Sequence, residues 1–204
     1  MIRPEQLLAP TADGLFCPLG GFHIDPVRPV ERALITHGHG DHARSGHDRV
    51  LATAETLRIM AARYGEDFAN GGTPAKLGEA IRIGDVTVSF HPAGHVLGSA
   101  QIAVEADGCR IVVSGDYKRR RDPTCLPFEP VACDVFITEA TFGLPVFRHP
   151  DDGVEIHKLL TSLKDFPERT HLVGAYALGK AQRIICRLRE EGYREPIYIH
   201  GALE

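Results

Sequence analysis

The heptapeptide THGHGDH occupies residues 36–42 and places three histidines and one aspartate within six positions, with only glycine between them. It continues the apolar segment RALIT at residues 32–36, which predicts a strand, so the polar side chains lie on the loop after that strand. Glycine permits tight turns that let several side chains converge. Imidazoles and carboxylates are the usual protein ligands of zinc and similar ions. The stretch therefore predicts a metal centre at a strand end.

Two later strand ends carry further metal-capable side chains. His95 lies among small residues in AGHVLGSA (93–100), and Asp116 follows an apolar strand in VVSGDY (112–117). A carboxylate can bridge two cations about 3.5–4 Å apart, the spacing of two-metal hydrolytic sites. Asp25, in FHIDP at an earlier strand end, is expected to accept a hydrogen bond from a ligand imidazole. We assign one metal to His37, His39, His95 and Asp116, and the second to Asp41, His42 and the bridging Asp116.

Short segments rich in β-branched residues dominate the first two-thirds of the chain and predict strands. Two pairs of these segments predict hairpins, one turning at Gly84-Asp85 and the other at Asp107-Gly108. Helical periodicity appears three times, in TAETLRIMAARYG (53–65), GVEIHKLLTSLKDF (153–166) and ALGKAQRIICRLREEG (177–192).

The pattern changes near residue 145. Beyond it, helices alternate with two segments that predict short strands, THLVGAYA (170–177) and PIYIHG (196–201), so this part predicts an α/β unit. We expect a first domain over residues 1–145 and the beginning of a second over residues 146–204. Because the chain stops directly after a predicted strand, with no closing helix, we expect both domains to be incomplete.

Composition narrows the class of protein. The 204 residues include 25% charged and 43% hydrophobic residues, which predicts a globular domain with a real core. The net charge of −4 argues against a broad basic surface, although bound divalent cations would add positive charge locally. The five cysteines form no CxxC pair, and the sequence shows neither a signal peptide nor an apolar span, so we expect a cytoplasmic protein with no membrane association.

The motifs THGHGDH, AGHVLGSA and SGDY, in this order, resemble the metallo-β-lactamase fold, an αβ/βα sandwich with its metals at one edge. The later segments ITEATFG (137–143) and GAYALGKAQRI (174–184) resemble the β-CASP nuclease branch, in which a second domain covers the active site. Across nearly the whole chain, the closest resemblance is to the bacterial ligase-associated DNA exonucleases. The implied fold class is α/β, with a metallo-β-lactamase-like domain followed by the start of a β-CASP-like domain.

The resemblance also implies roles for individual residues. Asp25 matches the family's supporting aspartate, and Glu139 matches the acidic residue that polarises a general-acid histidine. Asp41 is expected to orient the nucleophile as well as to bind metal. The general-acid histidine and the last ligand of the second metal are expected beyond residue 204, and His200 is expected to be structural. The residues that match the family's metal ligands are His37, His39, Asp41, His42, His95 and Asp116, and the implied cofactors are two divalent ions, zinc first and manganese second.

These observations predict a metal-dependent phosphodiesterase, specifically a DNA exonuclease that acts in repair. The resemblance implies nucleic acid as substrate, with an ATP-dependent DNA ligase and a helicase as partners. Residues 118–121 read KRRR directly after the metal-binding segment, and Lys118 is the candidate for a phosphate contact. Three alternatives stay open: an RNA-processing nuclease of the same branch, a thioester or lactam hydrolase, and a non-catalytic scaffold. The KRRR run and Glu139 argue against the second, and the intact ligand set argues against the third.

Overall fold

Two β-sheets form the framework of the structure, a computed structural model in which residues 2–203 are described. The six-stranded sheet runs in chain order and contains Ala9–Thr11 (β1), Gly14–Cys17 (β2), Phe22–Ile24 (β3), Arg32–Leu34 (β4), His47–Thr53 (β5) and Ala69–Ala75 (β6). The five-stranded sheet contains Ile81–Ile83 (β7), Val86–Pro92 (β8), Ala100–Ala106 (β9), Cys109–Val113 (β10) and Val135–Ile137 (β11), also in spatial sequence from one edge to the other.

Helices are fewer than strands in the described residues. They are Pro4–Leu7 (α1), Ala54–Tyr64 (α2), Asp152–Asp165 (α3), Lys180–Glu190 (α4) and a short 3₁₀ helix, Gly201–Leu203. Within residues 2–203, no helix combines the length and the apolar character that crossing a bilayer requires. The chain divides into two compact units, Met1–Glu139, which contains both sheets, and Ala140–Glu204, which contains α3 and α4. The domain limits of 1–145 and 146–204 stay a prediction.

Parallel pairing brings the candidate site residues to common sheet edges. β3 pairs in parallel with β4, and β10 pairs in parallel with β11. Parallel strands end at the same edge of a sheet. Asp25, directly after β3, therefore lies beside the loop that follows β4, and Glu139, two residues after β11, lies at the same edge as Asp116.

Two layers of apolar side chains fix these edges. The larger core lies between the sheets and includes Leu34, Phe90 and Ile102, all with no exposed surface. The smaller core lies on the opposite face of the first sheet, where Ala33 and Ile35 pack with Met60 of α2. Successive residues of a strand point to opposite faces, so both faces of β4 are covered. The backbone that leads into the THGHGDH loop is consequently held from two sides.

Both predicted hairpins and all three predicted helices are confirmed. β7 pairs antiparallel with β8 around Gly84-Asp85, and β9 with β10 around Asp107-Gly108. The α2 helix begins after Thr53, whose side-chain oxygen accepts a hydrogen bond from the Thr56 N–H, and it ends at Gly65. The two-sheet arrangement expected from the resemblance is therefore present.

The two strands predicted after residue 145 are wrong. Residues 170–177 and 196–201 form no strand, and Leu172 and Tyr198 are 93% and 94% exposed. An isolated extended segment leaves its N–H and C=O groups unpaired within the protein, and no strand is described in this unit to pair with it. In contrast, β6 forms although it contains two glycines and Pro74, because β5 provides a parallel neighbour along its whole length.

Candidate metal centre

The THGHGDH loop is tied to both sheets at its first residue. The Thr36 carbonyl accepts a hydrogen bond from the Ala100 N–H of the second sheet at 2.8 Å, directly after β4 of the first sheet. Gly115 has φ 53°, and a Cβ there would lie 2.5 Å from Thr36 Oγ1. Only glycine permits this approach, which brings the loop that carries Asp116 against the loop that carries the histidines.

Three histidines and one aspartate converge at this junction. His37 Nε2 lies 3.0 Å from His39 Nδ1, and His95 Nε2 lies 3.2 Å from the same atom. One oxygen of Asp116, Oδ2, lies 3.5 Å from His95 Nε2 and 3.9 Å from His37 Nε2. The ligand atoms of all four residues lie within 4.8 Å of one another, as the ligands of a single ion must.

The chemistry of these donors fits a divalent cation. Burial, helped by the nearby His42, lowers the pKa of His37 to about 2. Burial also lowers the pKa of His95 to about 4, against the opposing charge of Asp116. Both rings are therefore neutral at pH 7, the form that binds metal.

The other oxygen of Asp116 faces a second group of residues. Asp116 Oδ1 lies 3.3 Å from His42 Nε2, and Asp41 Oδ2 lies 3.8 Å from that nitrogen. The hydrogen bond from His42 lowers the pKa of Asp116 to about 2, although burial opposes this. Burial by itself would lower the pKa of His42, but hydrogen bonds to Asp116 and Asp25 outweigh it and raise that pKa to about 10. A cation bound here would replace the proton on His42 Nε2.

Asp25 supports both groups from the neighbouring strand end. Its Oδ2 lies 2.8 Å from His42 Nδ1, so the other ring nitrogen of His42 points toward Asp116. The same carboxylate accepts bonds from the Thr36 N–H at 2.8 Å and from the Thr36 hydroxyl at 2.6 Å. Asp25 has φ 44°, a conformation that aspartate tolerates better than most residues. Its placement matches the expected role of orienting a ligand imidazole.

The structure also gives the positions of three other residues singled out by the sequence. Glu139 is half-buried just beyond β11. The ammonium of Lys118 forms an ion pair with the carboxylate of Asp122, which is 4% exposed. His200 accepts a hydrogen bond from the Ala202 N–H at 3.2 Å within the short 3₁₀ helix. None of these three lies in the four-residue cluster found among residues 2–203.

Two supporting residues were missed by the sequence analysis. The Thr36 hydroxyl lies 3.1 Å from His37 Nδ1, so it fixes which nitrogen of that ring points at the cluster. Ser99 Oγ accepts hydrogen bonds from the backbone N–H groups of His95 and Val96, at 3.0 and 3.1 Å. A hydroxyl residue just before or four residues after a predicted ligand is the signal that would have found them.

Comparisons with known proteins give several relatives, although the comparison with protein-family profiles gives no match. A probable DNA ligase of Opitutus terrae is 30% identical over 190 residues, which are 92% of this chain and 18% of the ligase. An endoribonuclease of Neurospora crassa is 32% identical over 231 residues, covering 93% of this chain and 27% of that protein. A ribonuclease of Thermus thermophilus is 28% identical over 211 residues, covering 89% and 48%. The chain thus spans less than half the length of these curated relatives.

One solved structure supports the fold alone. A protein of unknown function from Enterococcus faecalis V583 superposes with a TM-score of 0.54 over 78% of this chain and 44% of that protein, at 15% sequence identity. The similarity covers most of the chain, so the two-sheet arrangement is not peculiar to this sequence.

Proposed function

We infer the function of this chain from its family, because it belongs to the metallo-β-lactamase superfamily and to the β-CASP nuclease branch within it. We propose that it is a metal-dependent phosphodiesterase that cleaves nucleic acid. The observation that carries this proposal is the position of Asp116, which presents one oxygen to His37 and His95 and the other to His42. This is the arrangement that two neighbouring cations require of a shared carboxylate.

The residues present would hold two divalent ions. His37, His39, His95 and Asp116 would bind one ion, while Asp41, His42 and the shared Asp116 would bind the other. We propose zinc in preference to manganese, because an imidazole-rich ligand set suits zinc. When bound, two such ions stabilise negative charge on a phosphate that is being attacked and lower the pKa of water.

The protein's own groups prepare this site in three ways. The buried rings of His37 and His95 stay neutral, so no proton has to leave them before a cation binds. Asp25 and Thr36 orient the rings of His42 and His37 through the nitrogens that face away from the centre. Asp41 is mostly exposed beside His42, so we propose that it contacts the attacking nucleophile as well as a metal.

Glu139 is proposed as the residue that polarises the proton donor for the leaving group. Its support is positional, since it follows β11 at the same sheet edge at which Asp116 follows β10. No histidine of this chain matches the family's general acid, so the proton donor itself is not assigned.

We propose DNA as the substrate and an exonuclease acting in repair as the finer activity. The match to a protein named a probable DNA ligase supports DNA. The proposed partnership with an ATP-dependent DNA ligase and a helicase rests on the family resemblance. An RNA-processing nuclease is the second candidate, because the Neurospora and Thermus relatives are named ribonucleases. A cytoplasmic location is proposed because the five cysteines form no disulfide among the described residues.

The test uses the wild-type protein and a His39→Ala variant. Bound metal is measured by plasma emission spectroscopy, and cleavage is measured on end-labelled single-stranded DNA and on RNA of the same sequence, with Zn²⁺ or Mn²⁺. We expect bound metal and cleavage in the wild type and loss of both in His39→Ala. His157→Ala, which removes an exposed histidine of α3, is the matched control. Unchanged cleavage by His39→Ala would refute the proposed site, and metal binding without cleavage of either polymer would favour the scaffold alternative.

A further inference from the structure

We propose that Arg63 of α2 is a phosphate contact for the nucleic-acid backbone at the rim of the metal centre. This inference rests on the proposed function, and it names a substrate contact that the sequence analysis did not. The KRRR run drew attention to Lys118, which lies close to Asp116 in sequence. The structure instead presents a guanidinium from a different element against the loop that carries the histidines.

One face of α2 lies directly behind the two spacer glycines of the THGHGDH loop. A Cβ at Gly38 would lie 2.7 Å from Ile59 Cγ2, and a Cβ at Gly40 would lie 3.8 Å from Arg63 Nη1. Residues four apart share a face of a helix, so Ile59 and Arg63 form a continuous surface against the loop. A Cβ at Gly38 would collide with Ile59, so the missing side chain there lets α2 approach the loop backbone closely.

Arg63 is held in place at this surface by one hydrogen bond. Its Nη1 donates to the carbonyl oxygen of Gly38, the residue between His37 and His39. The guanidinium also lies 5.8 Å from the centre of the Tyr64 ring. A guanidinium has five N–H donors, so four stay available after this bond. A cation that is already fixed loses little conformational freedom when it binds a ligand.

The charge of Arg63 is exposed and is not neutralised by the described residues. Its side chain is solvent-exposed, and no Asp or Glu carboxylate among residues 2–203 lies within ion-pair distance of it. A guanidinium binds the oxygens of a phosphodiester in a bidentate manner. An exposed, fixed and unneutralised guanidinium beside the metal ligands therefore fits a phosphate next to the one that is cleaved.

The neighbouring basic residues fit this role less well. The Lys118 ammonium is paired with Asp122, and withdrawing it would leave a buried carboxylate without its cation. Arg119 and Arg121 are exposed, but no hydrogen bond or ion pair in the described part of the chain fixes them. Among these cations, Arg63 combines exposure with a fixed position next to the metal ligands.

The experiment compares Arg63→Met, Arg63→Lys and the control Arg58→Met in the intact protein. Arg58 is also exposed on α2, so its replacement removes the same charge from the same helix. Fluorescence anisotropy gives the Kd for labelled single-stranded DNA and RNA in EDTA, where metal-dependent cleavage is prevented, between about 50 and about 200 mM salt. Metal content and Tm are measured on the same protein preparations before EDTA is added.

We expect Arg63→Met to weaken binding about tenfold at low salt and to reduce the slope of log K against log[salt] by about 1, with metal content and Tm unchanged. Arg63→Lys should recover part of the loss, and Arg58→Met should match the wild type. If the wild type binds nucleic acid and Arg63→Met shows the same Kd and the same salt slope, this inference is overturned while the proposed function stands. Loss of metal by a folded Arg63→Met would also overturn it, in favour of a loop-positioning role. A wild type that binds neither polymer overturns the proposed function, and this inference with it.

Discussion

The two compact units differ in where their large apolar side chains lie. In Met1–Glu139, Phe22, Phe90 and Ile102 are completely buried between paired strands. In Ala140–Glu204, Leu172 and Tyr198 are almost completely exposed, on segments that form no strand. Every candidate metal ligand lies in the first unit. In the first unit, candidate ligands that are far apart in sequence converge where buried strands fix the backbone that leads into their loops.

Replacing the shared carboxylate should have the largest effect. Asp116→Asn removes the negative charge that faces His37, His95 and His42, so we expect loss of bound metal and a fall in cleavage of roughly 10³-fold or more. Metal analysis and initial rates provide the measurement. Asp151→Asn in the second unit is the control, because asparagine caps a helix as well as aspartate does. Equal metal content in the two variants would show that the centre does not depend on Asp116.

A matched pair of leucines tests the difference in burial directly. Leu34→Ala leaves a cavity at a fully buried position, and we expect it to lower the free energy of unfolding by about 2–5 kcal/mol. Leu172→Ala changes a side chain that is 93% exposed, and we expect a change within about 0.5 kcal/mol. Chemical denaturation followed by circular dichroism measures both. A large loss at Leu172 would mean that its segment is covered in solution, and the contrast between the units would fail.

Local sequence patterns predicted much of the first unit because its strand-like segments do pair with neighbouring strands. The turns at Gly84-Asp85 and Asp107-Gly108 join adjacent strands, so their residues contain nearly all the information that the hairpins need. The segments at 170–177 and 196–201 have equally strand-like patterns but no described neighbour. Propensity describes how well a residue fits a sheet, and it cannot supply the adjacent strand.

The candidate site shows the same division. Its candidate ligands could be proposed from the sequence because metal-capable side chains cluster in a short motif and recur at strand ends, and the structure brings four of them together. The partners of other residues could not be predicted, because they depend on distant contacts. Arg63 donates a hydrogen bond to Gly38, which lies 25 positions away in the sequence. The carboxylate of Asp122 forms an ion pair with the ammonium of Lys118. Nothing in the spacing of basic residues distinguishes the paired cation from the exposed one.

The supporting carboxylate should have an intermediate effect. Asp25→Asn keeps the size of the side chain and tolerates the left-handed backbone, but it removes the charge that faces His42 Nδ1. We expect metal affinity, measured by competition with a chelating dye, to fall about 10–100-fold. Asp13→Asn, at a half-exposed carboxylate paired with Arg28, should leave the affinity unchanged. Identical affinities for the two variants would remove Asp25 from the site.

Replacing one helix cap in each unit should give the smallest difference, measured as the loss of unfolding free energy. Thr53 caps α2 inside the first unit, where its buried hydroxyl accepts from the Thr56 N–H at 3.3 Å and donates to the Gly98 carbonyl at 2.7 Å. Thr53→Ala therefore leaves the buried Thr56 N–H without its acceptor and removes one of the two threonine hydroxyls that donate to the Gly98 carbonyl, so we expect a loss of about 1–2 kcal/mol. Asp151 caps α3 with one exposed bond to the Gly153 N–H, which water can replace, so Asp151→Ala should cost about 0.5–1 kcal/mol. Because Gly98 belongs to the loop that carries His95, only Thr53→Ala should also weaken metal binding, and urea denaturation with and without zinc separates the two effects. If the two variants lost the same free energy of unfolding, with and without zinc, the cap of α2 would have no effect on the metal centre.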